Sequence, residues 1–298
     1  MRLYSTDAGV AREDSPGMLS LLALDHTDVG EVLRRGDLET ARTAAVTSTR
    51  PVHDVTLRAP VPAPGQVVIA GLNYPSHAEE ARELAASLGR EFSGLPTEPS
   101  FQLLPITAAH DPDAAIRVPA AAPYQVDYEG EVAVVIGRTA DDVPVERAWD
   151  CVAGLTIAND VSARDVQLSA LLSGSIAGIA DAKSFPTFKP MGPCLVTADE
   201  FTLPVDLRIR TRVNGELRQD DRTATMLFDF PTLVSAVSRR YRLEPGDVIL
   251  TGTPSGAGAF CDAYLTEGDV VEVEVERLGV LRNPVGWSRS VSSASLRR

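Results

Sequence analysis

The stretch VDYEGEVAVVIG, Val126 to Gly137, carries two requirements at once. Its second half, Val132 to Ile136, is an unbroken apolar and largely β-branched run, the pattern of a strand buried on both faces. Its first half sets Glu129 and Glu131 on either side of Gly130. If pairing begins by Glu129, the period of two in a strand puts both carboxylates on one face. Two such charges in a buried strand repel each other unless a cation lies between them. A divalent ion held by oxygen ligands resolves the conflict, and that donor set favours magnesium, manganese or calcium over zinc. An edge strand with both glutamates in water resolves it as well.

Outward from this strand, further strand-like segments recur at Cys151–Ile157, Cys194–Thr197, Val205–Val213, Val248–Thr251 and Val270–Val275. Several alternate polar and apolar residues, as half-buried antiparallel or mixed strands do. Helical spacing is confined to Glu79–Leu88, Ala163–Leu172 and Pro231–Tyr241. Irregular strand spacing with few helices argues against a repeating strand–helix parallel sheet. The expected class is mostly β with some α. Pro62, Pro64 and Gly65 mark a boundary, giving a small N-terminal domain or arm over 1–64 and a body over 65–286. The Ser- and Arg-rich tail 287–298 is expected to fray.

Composition narrows the partners. The 298 residues carry 28 Lys plus Arg against 41 Asp plus Glu, a formal charge of −13 that repels phosphate backbones and anionic lipid. Aromatics at 5% leave little for a base-stacking platform. No run approaches the ~20 apolar residues of a membrane span, and the first residues lack an export signal. The expectation is therefore a cytoplasmic protein with no nucleic-acid or membrane partner. Cys151, Cys194 and Cys261 have neither disulfide-framework nor zinc-knuckle spacing.

Other polar residues compete for roles. Asp160 ends an apolar run, where it either caps the helix that follows or joins Glu129 and Glu131 as a third hard-metal ligand. His77, in GLNYPSHAEE, has Glu80 one helical turn on, a carboxylate placed to fix its tautomer and strengthen it as a base. A solvated helix face produces the same pair. Lys183, among Phe185, Phe188 and two prolines, either pairs with a carboxylate or substrate oxygen or snorkels to water. TGTPSGAG, Thr251 to Gly258, offers amides and hydroxyls to an oxyanion, or is only a tight turn. No Gly-x-Ser-x-Gly elbow is present, which disfavours the usual serine hydrolase.

Together these pieces resemble the fumarylacetoacetate hydrolase family in its bacterial, acylpyruvate hydrolase-like branch. The resemblance covers Gly65 to Val285 and runs through seven segments in order: GLNYPSHAEE, DYEGEVAVVIG, GLTIANDVSARDVQ, KSFPTFKPMGPCLVT, VNGELRQDDRTATMLF, LEPGDVILTGTPSGAG and EGDVVEVEVERLGVLRNPV. It implies a mixed β-sandwich or β-roll, usually dimeric, that binds Mg²⁺ or Mn²⁺ through Glu129, Glu131 and Asp160. It also implies a His77–Glu80 pair that readies water, Lys183 as the site lysine, and Gln167 with Thr253 or Thr251 as substrate contacts. One departure stands out. The family's Phe-x-Lys-Pro is replaced by a piece with Leu104 at the lysine position, which argues against a substrate carboxylate at that end.

The chemistry implied is metal-dependent hydrolysis of a C–C bond in a 1,3-dicarbonyl such as an acylpyruvate or diketo acid. The same enolate logic supports β-keto acid decarboxylation, isomerisation or lyase chemistry. A ligand-binding or assembly protein without turnover is the alternative of another class. Magnesium-dependent turnover separates it from the enzymes.

Overall fold

A computed structural model describes residues 1–287 apart from 88, 93 and 107; the frayed-tail expectation falls almost wholly outside that range. Two sheets organise the chain. The larger has eleven strands. In spatial order, ten of them are Val46–Pro51, Met18–Leu22, Gly9–Ser15, Arg2–Thr6, Met191–Thr197, Val152–Asn159, Gly130–Ile136, Val248–Leu250, Val67–Gly71 and Ser100–Leu104. The eleventh, Leu57–Arg58, pairs with Arg2–Thr6. The smaller sheet runs Glu216–Arg222, Arg208–Val213, Val270–Val275, Gly279–Trp287 and Ile116–Val118. Pairing is antiparallel except between Val248–Leu250 and Val67–Gly71 and between Gly279–Trp287 and Ile116–Val118. This is a mixed β-roll with some α, as expected.

The strand Gly130–Ile136 is buried along its whole length, with partners on both sides. Val132, Val134 and Ile136 join Ile209, Val271 and Val273 in the core between the sheets. Ala133 and Val135 point the other way, into a second core with Val29, Val32 and Leu33 of the helix Val29–Arg34. Two cores explain why the apolar run has no polar alternation. Gly130 lies against the smaller sheet, where a Cβ would lie 2.2 Å from Thr211 Oγ1.

The N-terminal strands extend the sheet of the body, because Arg2–Thr6 pairs with Met191–Thr197. The 64/65 boundary falls in the connection between Leu57–Arg58 and Val67–Gly71. Three helices frame one end of the roll: Pro75–Ser87, Arg164–Ser173 and Ile176–Ala182. Proline at the first position presets the backbone of Pro75–Ser87, and Gly174 in the left-handed region ends Arg164–Ser173. Among the described residues no helix is long and apolar enough to cross a membrane.

Candidate metal centre and proton-transfer site

Glu129 and Glu131 stand where the central strand begins, and Asp160 follows the neighbouring strand Val152–Asn159, whose Asn159 pairs with Gly130. Each of the three acids places a carboxylate oxygen within 4.8 Å of the others, and all three are buried. Asp160 does not cap the helix after it. That helix begins at Arg164, and the Asp160 carboxylate turns to Lys183, whose Nζ lies 2.6 Å from Oδ2. Lys183 also donates to Glu129 Oε2. Arg164 donates to Glu129 Oε1 at 2.6 Å, to Asp127 Oδ2 at 2.7 Å and to Gln167 Oε1 at 2.7 Å.

The electrostatics divide the two glutamates. Burial opposes ionisation of Glu129, but Lys183 and Arg164 outweigh it and hold its pKa below the usual carboxylate range. Glu131 is pushed well above that range, first by burial and then by Asp160 and Glu129. Its main direct support is the Gly252 amide, 2.7 Å from Oε2. Lys183 keeps a raised pKa, because Asp160 and Glu129 more than offset the burial that would lower it.

A divalent cation suits these residues. Three hard oxygen donors converge, one of them destabilised as an anion by the other two, and Asp160 Oδ1 is buried without a hydrogen bond.

His77 and Glu80 lie on Pro75–Ser87, with Nδ1 3.1 Å from Glu80 Oε2. Glu80 Oε1 accepts the Gly256 amide at 2.7 Å, and Phe260 packs edge-on against the imidazole at 5.4 Å between centroids. The loop 251–258 therefore gives its amides to the chain's own carboxylates: Gly252 to Glu131, Gly256 to Glu80, and Gly258 to Asp127 at 2.7 Å. Gly252 has φ +92°, and a Cβ there would meet that of Asn73 at 2.9 Å.

One cavity of about 750 Å³ gathers Glu129, Glu131, Asp160, Lys183, His77, Gln167 and Thr253. Thr251 lies outside its lining; its buried hydroxyl donates to the Val132 carbonyl at 2.8 Å. Leu84, Leu168, Leu171 and Leu172 form an apolar wall, with Arg90 and Arg240 also on the lining. Leu104 needs a correction: it is 3% exposed, opposite Val67 in the sheet, and in the second core rather than beside the cavity. Gln102 of the same strand lines the cavity instead.

The sequence reading missed Asp127, Arg164 and Lys189. Asp127 was within reach, since 127, 129 and 131 share one parity in a strand. Arg164 stands one helical turn before Gln167 in ARDVQ. Nothing local marked Lys189.

A mainly antiparallel roll whose central strand opens on an acid-lined cavity defines a class, enzymes built around a candidate divalent-cation centre. More narrowly, the chain belongs to the fumarylacetoacetate hydrolase family: residues 66–286 match the model of the fumarylacetoacetate (FAA) hydrolase C-terminal domain. Human mitochondrial oxaloacetate tautomerase FAHD2A is 37% identical over 293 residues, covering 95% of this chain and 88% of that protein. The crystal structure of 5-carboxymethyl-2-hydroxymuconate delta-isomerase from Mycobacterium smegmatis superposes with a TM-score of 0.73 at 36% identity, covering 97% of this chain and 100% of that one. A fumarylacetoacetate hydrolase from Exiguobacterium antarcticum gives 0.75 at 34%, with the same coverage.

Proposed function

We propose that this protein is a Mg²⁺- or Mn²⁺-dependent tautomerase or isomerase that moves a proton on a 2-oxo acid or 1,3-dicarbonyl compound through an enolate. The observation that carries this reading is the meeting of His77, bonded to Glu80 behind it, with Lys183 and the three acids around one cavity. A cation held by Glu129, Glu131 and Asp160 supplies Lewis-acid polarisation of substrate oxygens. His77, oriented by Glu80, takes the proton from the carbon beside the carbonyl. The electrons of that C–H bond pass to the carbonyl oxygen, where the Lys183 ammonium stabilises the charge. Gln167 and Thr253 position the substrate. Return of the proton to oxygen or to another carbon completes the isomerisation.

The relatives named as an oxaloacetate tautomerase and a delta-isomerase favour this over C–C hydrolysis, and so does its economy, since it needs no water. Hydrolysis is the second reading, favoured by the relative named as a fumarylacetoacetate hydrolase. There His77 deprotonates water instead of carbon, the hydroxide adds to the carbonyl carbon, and the C–C bond then breaks with its electrons leaving as an enolate that takes back the proton. We take the working unit to be a homodimer, as the family resemblance implies; a monomer mass by light scattering at every concentration rejects it.

The test is turnover of oxaloacetate, acylpyruvates and hydroxymuconate-type dienols with and without Mg²⁺. Loss of the enol absorbance with one isomeric product supports tautomerisation, two carbon fragments support hydrolysis, and carbon dioxide supports decarboxylation. His77→Ala should lower kcat by about 10²–10⁴-fold. Metal-independent turnover, or full activity in His77→Ala, overturns the proposal.

A further inference from the structure

Lys189 is a buried lysine that no step above uses; burial pulls its pKa down while Asp160 holds it up. It is 2% exposed, lies outside the cavity lining and has four oxygen neighbours. Three are main-chain carbonyls, those of Lys183, of Phe188 at 2.9 Å and of Val161 at 3.3 Å, and each accepts a hydrogen bond. The fourth is Asp160 Oδ1 at 2.7 Å. An ammonium has three hydrogens, and four oxygens compete for them. Asp160 Oδ1 is left with a charge contact but no hydrogen bond.

The arrangement separates two properties of one carboxylate. Oδ1 keeps its lone pairs available for a ligand, while a positive charge stands directly behind it. Around the site, the buried carboxylates Asp127, Glu129, Glu131 and Asp160 face the buried cations Arg164, Lys183 and Lys189. Arg164 engages Asp127 and Glu129, and Lys183 engages Glu129 and Asp160. Lys189 adds a second cation to Asp160 alone.

We infer that Lys189 is a positioning residue that fixes Asp160 Oδ1 toward the cation site and, by its charge, weakens the hold of the three acids on a divalent ion. The inference rests on the metal-centre reading above. A carboxylate caught between two fixed cations and a dication shares its attraction among them, and in a buried setting one ammonium so placed weakens the dication markedly. Lys189 thereby keeps the centre exchangeable, and it also ties the end of the helix Ile176–Ala182 to the segment after Asp160 through the carbonyls of Lys183 and Val161.

The test is Mn²⁺ binding, followed by calorimetry and by the spectrum of free Mn²⁺, for wild type, Lys189→Met and Lys189→Gln. Removal of the charge should tighten binding about tenfold or more, in both variants alike, while kcat falls through loss of Asp160 positioning. A purely structural brace predicts the opposite sign, looser Mn²⁺ binding, and that result or an unchanged Kd overturns the inference. If the variants do not fold, the Nζ resonance of Lys189 in ¹⁵N-lysine wild-type protein decides. It should shift with Mg²⁺ and broaden with Mn²⁺, and indifference to both ions overturns the inference. Wild-type protein that binds neither ion overturns the metal-centre reading itself, whereas wild-type binding without tightening in the variants overturns only the role of Lys189.

Discussion

Two regions of the molecule are rich in the same ion pairs and use them differently. On the open face of the smaller sheet, Arg208–Asp220, Arg210–Glu274 and Arg222–Asp206 sit side by side in contact with water. At the mouth of the central strand, Asp127, Glu129 and Asp160 meet Arg164, Lys183 and Lys189 with almost no exposure. Water screens the first set, so each pair can be lost with little effect. The second set has no such reserve. Each buried charge there depends on its partner, and loss of one leaves the other stranded. The difference lies in burial, and it separates charges that decorate a sheet from charges that define a site.

The largest effect expected from this contrast is in Arg164→Met, which takes the cation from Asp127 and leaves Glu129 with Lys183 alone. Urea unfolding should show a loss of about 3–5 kcal/mol, and a loss below 1 would erase the distinction between the regions. Next is the metal itself. At a Mn²⁺ concentration about 100 times Kd, wild type should gain about 2.7 kcal/mol. Glu131→Gln removes a charge that burial, Asp160 and Glu129 oppose, so its metal-free stability should stay within about 1 kcal/mol of wild type, with the Mn²⁺ gain absent. Thermal melts with and without the ion read both outcomes.

A smaller effect comes from His110, a half-buried imidazole that bonds the Ala115 carbonyl at 3.0 Å. Burial lowers its pKa, more than the hydrogen bond to Ala115 raises it. The folded state therefore resists protonation. Its contribution to stability is present above the ordinary imidazole pKa of about 6.5 and is lost as pH falls toward the depressed value. Wild type should weaken more steeply than His110→Gln over that acid window; parallel pH profiles would refute this. The smallest effect belongs to Arg210–Glu274, 2.9 Å apart on the open sheet. A double-mutant cycle there should return under about 1 kcal/mol and shrink with salt.

How much of this was legible beforehand differs between the two regions as well. The run Val132–Ile136 announced a strand buried on both faces, and the parity of Glu129 and Glu131 announced carboxylates on one side of it. These are local properties, and the period of a strand is enough to read them. Asp160 was ambiguous, because an acid before a helix is a cap as readily as a ligand, and only the position of Lys183 decides. The loop 251–258 offers, by its sequence, either amides and hydroxyls to an oxyanion or only a tight turn, whereas its glycines face Glu131, Glu80 and Asp127. Those partners are 120 to 180 residues away, and no local pattern encodes them. Lys189 was invisible for the same reason, since a lone lysine between Phe188 and Pro190 looks like any solvated one. The pairing of Arg2–Thr6 with Met191–Thr197 had no signature at all.

The seating of His77 apart from the acids has a further consequence. Glu131 lies in, and Glu129 and Asp160 directly flank, adjoining strands in the middle of a large sheet, where a change of backbone would disturb both cores. His77 and Glu80 ride on a separate helix, fastened back by a handful of contacts such as Glu80 to the Gly256 amide and Ser76 to Asp221. The helix and the leucine-rich wall can thus vary while the carboxylate trio stays untouched, so the rim of the cavity can change its shape without rebuilding the acids at its centre.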